Sequence, residues 1–125
     1  LFDEILGKKA VAITAGAGVI AEMRLPFSAL IADKDEVTLI VPAEHWDDFA
    51  ARLPEHKIAD ISYRLITFDL PLNLEVTGFM AIVSRVLADA NVPIMALSAF
   101  ERDHILVPTD HFDAAREALQ NARNA

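Results

Sequence analysis

The chain of 125 residues has no cysteine. That excludes a disulfide framework, a thiolate nucleophile and a Cys-ligated metal, and it fits a reducing, cytoplasmic setting. Long apolar runs are also missing. None approaches the roughly 18 residues that a membrane-spanning helix needs, so no span is expected. Asp3 and Glu4 stand where a signal peptide carries basic residues, so no leader is expected either. Positive charge is scarce: 11 Lys and Arg face 19 Asp and Glu, a net charge of −8. The densest basic spot is Lys8-Lys9. Nucleic acid and anionic membrane surfaces repel such a chain, which leaves a small molecule or another protein as partner.

What is present is apolar substance and repetition. Hydrophobic residues make up 54% of the chain, enough for a packed core. The stretch Val41-Pro42-Ala43-Glu44-His45-Trp46-Asp47 returns as Val107-Pro108-Thr109-Asp110-His111-Phe112-Asp113. Pro42 and Pro108 stand 66 residues apart, as do His45 and His111, and Leu53 and Leu119 continue the match. Upstream, the apolar run Val37, Leu39, Ile40, Val41 faces the run Ile105, Leu106, Val107, with Leu39, Ile40 and Val41 in step at the same offset. A repeat of this length implies two similar αβ units, residues 1–57 and 58–125. Units this small seldom bury a core alone, so they are expected to pack together with a ligand between them. No Gly-, Ser- or Pro-rich linker separates them.

Periodicity assigns the elements. Leu1–Leu6 reads as a short helix ending at Gly7, and Val11–Thr14 as a strand broken by Gly16 and Gly18. Phe27–Ala32 and Glu36–Val41 form a hairpin about the Asp33-Lys34-Asp35 turn. His45–Leu53 is a helix, with Trp46, Phe49, Ala50 and Leu53 at helical spacing, and Pro54 stops it. Ile58–Leu70 is strand-like. Val76, Phe79, Met80, Val83, Leu87 and Ala90 form one apolar stripe at helical spacing, with Asn73 or Thr77 as a cap and Asn91 and Pro93 at the end. Ile94–Phe100 and His104–Val107 make a second hairpin, and His111–Ala122 a last helix. The order predicts an α+β, ferredoxin-like fold: an antiparallel sheet with helices on one face. The first half lacks the long helix of the second.

Three stretches resemble an ACT domain, the βαββαβ fold with an amino-acid site beside its first loop and helix. They are Ile66-Thr67-Phe68-Asp69-Leu70-Pro71, Val76-Thr77-Gly78-Phe79-Met80-Ala81 and Leu87-Ala88-Asp89-Ala90-Asn91-Val92-Pro93-Ile94. Ser98-Ala99-Phe100-Glu101-Arg102-Asp103-His104-Ile105-Leu106-Val107-Pro108 is similar to a subfamily of small bacterial tandem-ACT proteins. That subfamily is related to the ACT modules of aspartate kinases and of animal cytosolic arginine sensors. Phe27-Ser28-Ala29-Leu30 and Asp35–Val41 resemble its degenerate N-terminal unit. The resemblance covers roughly residues 17–120.

The resemblance implies a ligand site made of Leu74, Glu75, Val76, Thr77, Gly78, Ser98, Ala99, Phe100 and Asp103. A helix start offers N–H groups and partial positive charge to a carboxylate. Asp103, with Glu75 as a second carboxylate, would take an ammonium or a basic side chain; as a bare sequence feature it is more often a turn aspartate. Gly78 reads as close approach of the backbone either to a ligand or to a packed strand. The carboxylates nearby favour a basic or polar ligand.

Other chemistry finds less support. His45 and His111 sit beside acidic residues but open helices, so capping is expected rather than metal binding. Asp103-His104 makes a poor dyad, because adjacent strand residues point to opposite faces. Gly16-Ala17-Gly18-Val19-Ile20-Ala21 matches the dinucleotide pattern G-x-G-x-x-A without the strand-turn-helix context that pattern needs. The expectation is a non-catalytic, cofactor-free, amino-acid-binding sensor that forms homodimers. The alternative is a ligand-free assembly module that pairs through sheet edges.

Overall fold

The computed structural model describes residues 2–68 and 78–124. The chain divides into two compact units, Leu1–Ile58 and Ala59–Ala125.

The first unit opens with helix α1, Phe2–Met23. This corrects the expected short helix, strand and glycine break. Val11-Ala12-Ile13-Thr14 has local strand character, but it is embedded in a run rich in alanine, the best helix former, and the helix carries through both glycines. Gly16 is a packing position: a Cβ there would lie 3.0 Å from Leu30 Cδ1. Gly16 and Gly18 thus lie inside one helix, not in a phosphate-binding turn. Val19, on the same side, is buried.

The expected hairpin follows as β1, Ala29–Ala32, and β2, Val37–Ile40, paired antiparallel from Ala29↔Ile40 to Ala32↔Val37. Asp33 shapes its turn. The Oδ1 atom accepts from the N–H groups of Asp35 at 2.7 Å and Glu36 at 2.8 Å, an Asx arrangement. The expected His45–Leu53 helix is three short pieces: a 3-10 turn Ala43–His45, helix α2 at Trp46–Phe49, and a 3-10 turn Ala50–Arg52. His45 holds the N-cap position of α2 but makes no side-chain capping bond, so the expected capping role fails there. Its ring lies 3.9 Å from Glu44 and 3.7 Å from Asp48. Arg52 pairs with Glu22 of α1.

The second unit is β3, Tyr63–Phe68; α3, Phe79–Asp89; β4, Met95–Ser98; β5, Asp103–Pro108; a 3-10 turn Thr109–His111; and α4, Phe112–Asn124. The sheet runs β3-β5-β4, with both pairings antiparallel. Putting β5 in the middle, last in sequence, is the ferredoxin-like arrangement, and the α+β class holds. Ile105 and Val107 of the central strand are wholly buried, with Val83 and Leu87 of α3, Val92 and Ala115 of α4. Ile66, Phe68, Phe79, Phe112 and Leu119 pack around them. The Arg64 guanidinium lies over the Phe112 ring, 4.1 Å from its centroid, and covers one end of this core.

Helix α3 ends in a Schellman motif. Val92 N–H donates to Leu87 O at 2.9 Å and Asn91 N–H to Ala88 O at 3.0 Å, with Asn91 left-handed at φ 59°. Arg24, also at positive φ, comes directly after α1, and Pro26 stands two residues beyond it as Pro93 stands two beyond Asn91. From the hairpins onward the two units match at 66 residues: β1 with β4, β2 with the start of β5, and the two 3-10 turns with each other. The first half therefore does possess a long helix, contrary to expectation.

Candidate functional site

The hairpin of β4 and β5 and the strand β3 converge at one end of the second sheet. There Phe68, Asp103 and Ser98 form a single cross-strand row, Phe68↔Asp103 and Asp103↔Ser98. Side chains alternate along a strand, so Asp103 shares the face of Ile105 and Val107 and marks the polar end of that apolar column. It is partly buried. Among the described residues its carboxylate makes no hydrogen bond or ion pair. The Phe68 ring meets Phe79 edge-on, with centroids 5.2 Å apart. Phe79 is the first residue of α3, so this contact draws the helix start towards the row.

Gly78 is the N-cap of α3, not an interior helix residue, with φ 91°. A Cβ there would meet nothing within 4 Å among the described residues. Packing against a strand is therefore not what calls for glycine; the left-handed backbone is. Having no side chain, Gly78 supplies no capping bond. The start of any helix presents N–H donors and a partial positive charge.

Of the residues expected at the site, Gly78, Ser98, Ala99, Phe100 and Asp103 are described, and they lie at or beside this end of the sheet. Leu74, Glu75, Val76 and Thr77 fall outside the described residues, as does the Asn73 cap. Ser98 and Ala99 are exposed, and Phe100 is 100% exposed at the hairpin tip. Sequence reading missed Phe68. Its position opposite Asp103 follows only once the register of β3 on β5 is known.

His104 lies on the opposite face from Asp103. Its Nδ1 is hydrogen-bonded to Thr67 Oγ1 across the sheet at 2.9 Å. Asp103 and His104 therefore do not act as a pair. Among the described residues no group of His, Asp and Glu is placed to hold a metal ion. No described helix is long and apolar enough to cross a membrane.

Several solved structures resemble this chain, two bacterial proteins among them. The protein Atu0741 of Agobacterium tumefaciens superposes with a TM-score of 0.63 at 23% identity, over 77% of this chain and 66% of that one. A Vibrio cholerae protein of unknown function, VC0802, described as a possible transport protein, superposes with a TM-score of 0.59 at 25% identity, over 81% of this chain and 73% of that one. This chain thus spans just under two thirds of the Agobacterium protein's length. No curated protein sequence matches it. Residues 58–121, about half the chain and nearly all of the second unit, match the ACT domain family. With that match and the βαββα order of the second unit, the chain belongs to the ACT domain family.

Proposed function

We propose that this protein is a non-catalytic regulatory module that binds a free amino acid at the end of its second sheet. Membership of the ACT family supports a regulatory role with a small-molecule ligand. The observation that carries the amino-acid reading is the juxtaposition of two opposite chemistries. The helix start at Gly78, whose cap residue brings no side chain of its own, suits a carboxylate. The carboxylate of Asp103, with Ser98 opposite it, suits an ammonium group. The Phe68–Phe79 contact ties the two together. The family resemblance adds Leu74, Glu75, Val76 and Thr77 as ligand contacts, with Glu75 a second carboxylate for the ligand's cation.

In this reading the first unit is a degenerate second copy of the ACT fold, as its matching order of helix, two strands and 3-10 turn suggests. The protein works as a cytoplasmic homodimer, and ligand binding alters a surface read by a partner. A ligand-free assembly module is the second reading. It is favoured by the edge of β3, which has a strand partner on one side alone among the described residues.

Thermal unfolding in each of the twenty amino acids at millimolar concentration separates the two. A ligand at about 100 times its Kd adds about 2.7 kcal/mol, a shift of several degrees for a chain this size. No shift with any amino acid favours the assembly module.

A further inference from the structure

The second sheet has two edges, and they are unlike. The β4 edge is four residues long, with Pro93 just before it. A short strand and a proline are among the devices that keep a sheet edge from pairing further. The β3 edge has neither. It runs six residues, Tyr63–Phe68, in unbroken register with β5, and holds no proline and no lysine. Its one charge belongs to Arg64, whose guanidinium lies over the Phe112 ring.

The register fixes which backbone groups this edge presents. Thr109 N–H donates to Ser62 O at 2.9 Å, so Ser62 turns its backbone groups towards β5. Those groups alternate sides along an antiparallel strand. Arg64, Ile66 and Phe68 therefore bond to β5 as well, and the N–H and C=O groups of Tyr63, Leu65 and Thr67 point outwards. Pro108, opposite Tyr63, agrees with this, since it has no N–H to give. Among the described residues no strand takes the outward groups. The side chains of the same three residues lie on the face turned away from α3 and α4, opposite to that of Ile105 and Val107. There Leu65, Leu106 and Met95 form one apolar row across the three strands, and Tyr63, Leu65 and Met95 are exposed.

We infer that β3 is the dimer strand of this protein. Its occupant is β3 of a second copy, antiparallel, with Leu65 opposite Leu65 and Tyr63 opposite Thr67. The edge is self-complementary in this register and in no other: each of the outward residues Tyr63, Leu65 and Thr67 meets another of the three, and all their N–H and C=O groups are bonded. Arg64 then stands opposite Ile66 rather than a second Arg64, so no like charges are set face to face. The two sheets become one of six strands, with the helices of both second units on one face and the two apolar rows joined at Leu65. The inference rests on the homodimer of the proposed function and gives it a strand and a register.

The absence of cysteine allows a direct test on the full chain. Opposed residues of a hydrogen-bonded pair have Cα atoms about 5.5 Å apart, within disulfide reach. Leu65→Cys should therefore oxidise to a covalent dimer in a glutathione buffer, read on a non-reducing gel. Tyr63→Cys and Thr67→Cys each lie about 13 Å from their own counterparts and should not crosslink. Sedimentation equilibrium of the parent chain should give a dimer. Leu65→Pro removes the central outward N–H and leaves the ladder to β5 intact. It should weaken the dimer about tenfold or more, with circular dichroism as the check on folding. Should that variant not fold, the cysteine series decides alone. A dimer that crosslinks at Tyr63→Cys or Thr67→Cys instead of Leu65→Cys, or that a folded Leu65→Pro leaves unchanged, overturns the inference and leaves the homodimer standing. A parent chain that stays monomeric at millimolar concentration overturns both.

Discussion

Ser98 and Asp103 face each other as the last pair of the β4–β5 hairpin, with Phe68 on the other side of Asp103. The row thus joins three segments far apart in sequence, and its geometry depends on the helix start that Phe79 brings against it.

Gly78 controls that helix start. Its φ of 91° is strained for any L side chain, although a Cβ would meet nothing within 4 Å among the described residues. Gly78→Ala should cost about 1 kcal/mol or more of stability, read as a lower urea midpoint at unchanged slope. Wild-type stability in the variant would mean that the left-handed backbone is not needed.

Gly16 and Gly18 of α1 should respond differently to alanine. Among the described residues a Cβ at Gly18 meets nothing within 4 Å, so Gly18→Ala should gain up to about 1 kcal/mol from helix propensity alone. At Gly16 the same methyl group lies 3.0 Å from Leu30 Cδ1, which must give way. Gly16→Ala should therefore gain less than Gly18→Ala, or lose. Urea unfolding of both variants gives the order, and the reverse order would contradict the packing of α1 on β1.

Leu87 has no exposed surface and packs in the core of the second unit. Leu87→Ala should cost about 2–5 kcal/mol. A smaller loss would mean that this part of the core collapses around the deletion.

The Asp33 carboxyl is held below its ordinary range by the N–H of Asp35 first and of Glu36 second. A depressed folded value stabilises the turn at pH above the unfolded carboxyl's value. That contribution is lost as pH falls through the folded value. Resonance titration should place the Asp33 midpoint below 3.8. In Asp33→Ala the acid-side loss of stability should be shallower. A midpoint at or above 3.8 would contradict the Asx turn.

Much of this fold is legible in the sequence because its signals are local. The Asp33-Lys34-Asp35 turn, the apolar stripe from Phe79 to Ala90 and the Asn91–Pro93 stop each lie within a few residues of what they determine. The repeated Val-Pro motif likewise marks the end of a strand in both units. The α1 segment misleads because Val11–Thr14 has strand-like residues, whereas the helix is decided over its whole length and by packing of Gly16 near Leu30. The stop after α1 was also visible, as Arg24-Leu25-Pro26 parallels Asn91-Val92-Pro93, but only once the second helix is known. At the site, Ser98 and Asp103 could be named from sequence. Their pairing, the row with Phe68 and the left-handed Gly78 are properties of register and backbone, which composition does not encode.

The most direct test of the central claim is amide resonance mapping of the full chain as an amino acid that raises its melting temperature is added to saturation. The account predicts that the largest shifts fall on Gly78–Met80 and on Ser98–Asp103, and that Asp103→Ala removes them. Shifts concentrated elsewhere, or unchanged shifts in Asp103→Ala, would contradict it.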